Sequence, residues 1–173
     1  MYSSVIRKIL ALVLAVLMLS AIFFVPASAR ETQAGQTAGI TVISLGVEQM
    51  QAEGAAAIQN ALFTAKKNAT DANIYKIVVA PGTYSIESSL KIYGNTWLSM
   101  EGVTLRRDFN GNILRVGSED STSCGVTGYY HRNITVEGGV FDGNAVSGTM
   151  LKVGHAKNFF LKNVTLQNNS ESH

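Results

Sequence analysis

Apolar and polar residues alternate in three short stretches of the chain. Gly102-Val103-Thr104-Leu105-Arg106, Asn133-Ile134-Thr135-Val136-Glu137 and Asn163-Val164-Thr165-Leu166-Gln167 each read apolar, Thr, apolar, polar. A period of two marks a strand with one buried face. The copies recur at steps of about 31 and 30 residues, and a fixed period in that range marks a stacked repeat architecture. Stacking in register predicts one internal ladder of Val103, Ile134 and Val164 and a second of Leu105, Val136 and Leu166. Thr104, Thr135 and Thr165 then line up outside, beside a rung of Arg106, Glu137 and Gln167. In that rung, opposite charges on Arg106 and Glu137 would add about 0.2–1 kcal/mol.

The flanks repeat too. Tyr129-Tyr130-His131-Arg132-Asn133 is expected over Phe159-Phe160-Leu161-Lys162-Asn163, and Ile113-Leu114-Arg115-Val116-Gly117 over Met150-Leu151-Lys152-Val153-Gly154. Phe109-Asn110-Gly111-Asn112 matches Phe141-Asp142-Gly143-Asn144, and both read as turns because Asn-Gly and Asp-Gly favour positive φ. No segment between the copies is long or periodic enough for a crossover helix. Parallel strands without helices, at about 30 residues a turn, predict an all-β right-handed parallel β-helix, a solenoid of roughly three to four coils. The Leu-x-x-Leu-x-Leu pattern of a leucine-rich repeat is missing.

One stretch has helical periodicity. Across Gly54–Asn68, Ile58, Ala61, Leu62, Ala65 and Ala69 share one face, and Gln59, Asn60, Lys66 and Lys67 the other. Lys66 and Lys67 suit the negative end of the helix dipole. Such an amino-terminal capping helix can cover the bare strand edge and apolar interior of a first coil. Ile40–Leu45 reads as a short strand before it and Tyr75–Ala80 as a strand after it. Pro81-Gly82-Thr83-Tyr84 then reads as a turn into Ser85-Ile86, with Leu90–Tyr93 and Thr96–Met100 opening the stacked coils.

Residues 1–29 read as a signal peptide: Arg7 and Lys8 precede an apolar run from Ile9 to Val25, and Pro26-Ala27-Ser28-Ala29 ends in a small-x-small cleavage pattern. The expected destination is secreted or cell-surface, in a bacterial host, with no membrane attachment after cleavage; an uncleaved single-span anchor is the alternative, since the apolar run is slightly long for a signal peptide. Removing Arg7 and Lys8 from the 14 Lys and Arg leaves 12 basic against 12 acidic residues. With no basic patch or aromatic-basic interleaving, nucleic acid is not an expected partner. Cys124 is the single cysteine, so no internal disulfide forms. Residues 30–52 are expected as a lead-in segment, and 53–173 as the capping helix plus the first coils of the β-helix.

Several segments resemble a known family. Ala57-Ile58-Gln59-Asn60-Ala61-Leu62, Ile77-Val78-Val79-Ala80-Pro81-Gly82-Thr83-Tyr84-Ser85-Ile86, Leu90-Lys91-Ile92-Tyr93-Gly94-Asn95-Thr96-Trp97-Leu98 and Gly102-Val103-Thr104-Leu105 resemble the entry of pectin-lyase-like right-handed β-helix proteins. Continued by Asn133-Ile134-Thr135-Val136-Glu137-Gly138-Gly139-Val140-Phe141-Asp142-Gly143-Asn144, the order is most similar to family 28 glycoside hydrolases, the polygalacturonases and their relatives. The resemblance covers about residues 54–169. It implies an exported hydrolase acting on pectin-type polysaccharide, of which this chain would be the amino-terminal part, with no cofactor expected. The same entry occurs in tail spikes, epimerases, lyases and non-catalytic surface proteins. A non-catalytic carbohydrate-binding or adhesive module, or a pectate-lyase-like enzyme using Ca2+, are therefore the alternatives.

Family 28 hydrolases carry an Asn-x-Asp, an Asp-Asp, a Gly-His-Gly and an Arg-x-Lys in later coils, and none of the four occurs here. Inverting hydrolysis needs two carboxyl groups about 6.5–9.5 Å apart, one protonated and one ionised. Asp108, Glu137, Asp142 and Glu171 are scattered singles, so no catalytic residue is assigned. The candidate substrate-binding residues are Asp142, Asn144 and His155. Each has a structural competitor: Asp142 and Asn144 as turn formers in Asp-Gly-Asn, and His155 as a turn or surface residue after a strand. A lyase would need a carboxylate cluster for calcium and a basic residue of lowered pKa. Arg106, Arg107 and Arg115 read as solvent-facing rungs. Inserted loops at Ser118–Gly128 and Ala145–Thr149 are candidate binding elements, with Ser118-Glu119-Asp120-Ser121 facing sugar hydroxyls. Asn68, Asn133, Asn163 and Asn168 head Asn-x-Ser/Thr triplets but are expected as ladder or turn asparagines. The last segment, Asn168–His173, follows a strand without a cap, and the chain is expected to be part of a longer protein.

Overall fold

Strands run parallel throughout. The computed structural model describes residues 39–117 and 130–170, all within one compact unit, Ala34–His173. β1 (Ile40–Leu45) leads into two helices, α1 (Val47–Glu53) and α2 (Ala55–Asn68). A first triplet of strands follows: β2 (Ile74–Val79), β3 (Gly82–Ile86) and β4 (Leu90–Ile92). The second triplet is β5 (Thr96–Ser99), β6 (Val103–Arg107) and β7 (Leu114–Val116), and the third is β8 (His131–Glu137), β9 (Val140–Asp142) and β10 (Leu151–Lys152). β11 (Ala156–Lys162) and β12 (Thr165–Gln167) complete the described strands.

Among the described residues these form three sheets: a first of β1-β2-β5-β8-β11, a second of β3-β6-β9-β12 and a third of β4-β7-β10. Every paired strand is parallel to its neighbour. The chain visits the sheets in the order first, second, third, and then returns to the first. The architecture is thus mostly β, in parallel sheets with two helices. The predicted helix appears as α2, and its predicted apolar face is the buried one, with Ile58, Ala61, Leu62 and Ala65 packed into the core. α1 lies inside the expected lead-in. It buries Met50 alone, too little apolar periodicity to read from sequence. Gly54, at φ 57°, breaks the two helices apart.

The register corrects the predicted ladders. Gly102–Arg106 enters β6 in the second sheet, but Asn133–Glu137 belongs to β8 in the first. Leu105 therefore pairs with Phe141 and Phe141 with Leu166, so Val136 is not in that ladder. Val136 instead stacks between Leu98 and Leu161, and Ile134 between Thr96 and Phe159. The outer rung is Arg106, Asp142 and Gln167, so the acid beside Arg106 is Asp142 rather than Glu137. In the first sheet Tyr75, Thr96, Ile134 and Phe159 are successive neighbours, at steps of 21, 38 and 25 residues. The even spacing of the three copies is a coincidence of crossing between sheets. What they share is a residue at positive φ, Gly102 at 70°, Asn133 at 56° and Asn163 at 52°, followed by a strand with an apolar inner face.

Two flanking matches fall with those ladders. Phe159 lies beside Ile134 and Ala156 beside His131, so Tyr130–Asn133 is not over Phe160–Asn163. Phe141 stacks on Leu105, not on Phe109. The third match stands: Leu114 pairs with Leu151 and Arg115 with Lys152. The turn predicted at Pro81–Tyr84 is shorter than expected, because β3 begins at Gly82.

Candidate functional site

An open depression of about 500 Å³ lies on the outer side of the second sheet, lined by Thr83, Thr104, Arg106, Asp142, Asn144 and Asn168, with Ala145 and Asn169. Strand alternation explains the lining. Val103, Leu105 and Phe141 turn inward and are buried, so Thr104, Arg106 and Asp142 turn outward. Asn144 (φ 50°) and Asn168 (φ 56°) sit in left-handed turns directly after the strands, a conformation Asn tolerates better than most residues.

Two of the three predicted substrate-binding residues meet here. Asp142 Oδ1 accepts hydrogen bonds from the Asn144 backbone N–H at 2.8 Å and from Asn168 Nδ2 at 3.0 Å, and Oδ2 accepts from Gln167 Nε2 at 3.3 Å. The Asn144 N–H and then Asn168, with lesser help from Gln167 and the charge of Arg106, hold the Asp142 carboxyl below its usual value against an opposing effect of burial. An ionised Asp142 can accept bonds from hydroxyls but cannot be the protonated acid of a hydrolytic pair. Asn144 is used in both directions: Oδ1 accepts from Arg106 Nη2 at 2.8 Å, and Nδ2 donates to Asp108 Oδ1 at 2.9 Å and to the Arg107 carbonyl at 3.2 Å. The turn-forming reading of these two residues holds, and both line the depression. His155, at φ 50°, lies in the bend before β11 with its ring 5.7 Å from that of Tyr130. It is not among the residues lining the depression.

Arg107 is not a solvent-facing rung. Its side chain is fully buried at 0% exposure, on the inner face of β6. The guanidinium donates to the carbonyls of Gly111 at 2.9 Å and Gly148 at 2.8 Å, to that of Val146, and to Asn169 Oδ1 at 2.9 Å. The five fixed donors of an arginine suit such a role. One buried cation thus ties together turns that follow β6, β9 and β12, and holds the floor behind Asn144, Ala145 and Asn169.

The third sheet carries a second feature. Lys91 pairs with Arg115, and Arg115 with Lys152, in strict register on β4, β7 and β10. Their neighbours Leu90, Ile92, Leu114 and Val116 point inward and are buried, so the three cationic side chains form one outward column. Adjacent strands lie about 4.8 Å apart, which spaces the charges over roughly 10 Å. The chain's formal charge of only +2 conceals this local alignment. Sequence reasoning matched Arg115 to Lys152 but missed Lys91. The signal was a recurring apolar-cation-apolar triplet, Leu90-Lys91-Ile92, Leu114-Arg115-Val116 and Leu151-Lys152-Val153.

Ladder and turn roles hold for three of the four Asn-x-Ser/Thr asparagines: Asn133 joins a side-chain ladder, and Asn163 and Asn168 occupy left-handed turns. Asn68 instead ends α2, with Nδ2 donating to the Thr64 carbonyl at 2.9 Å. The predicted signal segment 1–29, Cys124, Ser118-Glu119-Asp120-Ser121 and Glu171 lie outside the described residues. No helix among the described residues is long and apolar enough to cross a membrane. No family model matches the chain, and neither a curated protein nor a solved structure matches it.

Proposed function

We propose that this chain is an exported right-handed parallel β-helix, pectin-lyase-like and close to family 28 glycoside hydrolases, that binds acidic, pectin-type polysaccharide along the outside of its third sheet. The cyclic visiting of three parallel sheets supports the β-helix. The column of Lys91, Arg115 and Lys152 carries the ligand reading. A polyuronate presents a carboxylate on every sugar, and a row of cations along one sheet offers such a chain successive charge-assisted contacts. The hydroxyl, amide and carboxylate lining of the depression beside Asp142 and Asn144 suits sugar hydroxyls in the same way.

A second reading, a non-catalytic carbohydrate-binding or adhesive module, is favoured by the state of Asp142. Its three hydrogen bonds keep it ionised, leaving it unfit as a general acid. The lyase reading calls for a carboxylate cluster to hold Ca2+. Among the described residues, no group of three or more His, Cys, Asp or Glu comes together.

Affinity electrophoresis in gels containing polygalacturonate or neutral dextran tests the proposal. Retardation by polygalacturonate alone, weakened by salt and abolished in a Lys91→Glu/Lys152→Glu variant, is expected. Equal mobility in both gels, or retardation unchanged by the reversal, would contradict it. Release of reducing ends or unsaturated uronides in parallel assays separates the hydrolase, lyase and binding-module readings.

A further inference from the structure

The largest apolar side chain of this protein lies outside its core. Trp97 is the single tryptophan, and it belongs neither to the buried cluster nor to the side chains packed against it. Its neighbours on β5, Thr96 and Leu98, are fully buried, so Trp97 points to the outer face of the first sheet. Register sets Lys76 of β2 on one side of it and Thr135 of β8 on the other. The next outward row is Val78, Ser99 and Glu137.

Two contacts fix the indole without burying it. Its Nε1–H donates to Glu137 Oε2 at 3.0 Å, and the Lys76 ammonium lies 3.8 Å from the ring centroid. Among the described residues, Glu137 Oε1 and the ammonium hydrogens of Lys76 have no hydrogen-bond partner. Lys162, beside Glu137 in the register, has its ammonium over the Phe160 ring at 5.8 Å. A flat aromatic surface is thus rimmed by one acceptor, one cationic donor and the hydroxyl-bearing Ser99 and Thr135. An apolar surface with a few convergent polar groups is the usual make-up of a small-ligand site.

We propose that Trp97, Lys76 and Glu137 form a binding site for a neutral, β-linked pyranose chain with equatorial hydroxyls. The polar groups stand around the edge of the indole on an open sheet face, so a ligand must lie flat and turn its own polar groups sideways. A pyranose of this class does so: its ring faces carry C–H bonds and its hydroxyls point outward in the ring plane. One face rests on the indole, while hydroxyls donate to Glu137 Oε1 and accept from the Lys76 ammonium. The long, flexible stem of Lys76 lets the ammonium move aside from the ring as the sugar arrives. Lys76 and Glu137 balance in charge at the rim, which favours a neutral sugar over a uronate. The site differs from the third-sheet column in both face and ligand charge, and does not rest on that reading.

Because Trp97 is the single tryptophan, its fluorescence reads the site directly. Cellotetraose, a neutral β-linked probe, is titrated onto the full chain, with trigalacturonate as the anionic comparison. A saturable change in emission with cellotetraose is expected, and none with trigalacturonate. Lys76→Met and Glu137→Gln should each weaken the cellotetraose response roughly tenfold, with unchanged circular dichroism spectra. No emission change with cellotetraose, equal affinity in both variants, or an equal response to trigalacturonate would overturn the proposal. Mobility in the polygalacturonate gel reads the third-sheet column separately, so failure of either site is told apart from failure of the other.

Discussion

The helix-covered end and the β11–β12 edge are built from the same kinds of strand, yet among the described residues only the first is covered. At the covered end α2 lays Ile58 and Leu62 on the core, both fully buried, and Gln59 satisfies the edge of β4. Asp71 closes the amide ladder and also pairs with Arg132 at 3.4 Å. At the β11–β12 edge the same ladders reach Leu161 and Leu166, which are 39% and 49% exposed. Parallel strands generate their own continuation: each sheet edge shows unpaired N–H and C=O groups beside an apolar inner face. Termination therefore needs separate devices, and here they are found in a helix, a glutamine and an aspartate.

Substitutions should rank by that difference. Leu62→Ala removes a side chain buried between helix and sheets and is expected to cost about 2–5 kcal/mol in urea unfolding. Gln59→Ala leaves the Lys91 N–H and carbonyl without their protein partner. A smaller loss of about 1–3 kcal/mol is expected, with faster hydrogen exchange at the Lys91 amide. Leu161→Ala, at a position already open to solvent, should cost under about 1 kcal/mol. A cost equal to that of Leu62→Ala would mean that Leu161 is covered in solution.

The smallest effect concerns acid. The Asp142 carboxyl is held below its ordinary value by its hydrogen bonds. Its contribution is fully present above the unfolded carboxyl pKa of about 3.9 and fades as pH falls through the lower folded value. Asp142→Asn should flatten that part of the acid stability profile by under about 1 kcal/mol, since the group is well solvated.

Much of the fold was legible because strand alternation and helix periodicity are local. Ile58, Ala61, Leu62 and Ala65 mark α2 without reference to anything else, and Leu114-Arg115-Val116 found its partner in Leu151-Lys152-Val153. Register was not legible from spacing. The steps between neighbours in the first sheet, 21, 38 and 25 residues, are too uneven to show as a period. The same signal, a left-handed Gly or Asn before an apolar-x-apolar strand, opens strands in more than one sheet. Arg107 was misread for a related reason. It stands at the even step from Val103 and Leu105 that faces inward, but a charge at that position reads as exposed until the carbonyls of Gly111, Val146 and Gly148 are brought around it. Asp142 and Asn144 were visible as a motif, whereas the Lys91 column needed the register first.

Register also decides the central claim, since the cationic column and the depression both follow from it. Cysteine pairs in a Cys124→Ser background test it directly. Oxidation should cross-link Thr104→Cys with Val140→Cys, which are paired neighbours on β6 and β9, at a separation suited to a disulfide. Thr104→Cys with Thr135→Cys should stay reduced, because those residues lie on different sheets. Cross-linking of the second pair and not the first would contradict the account.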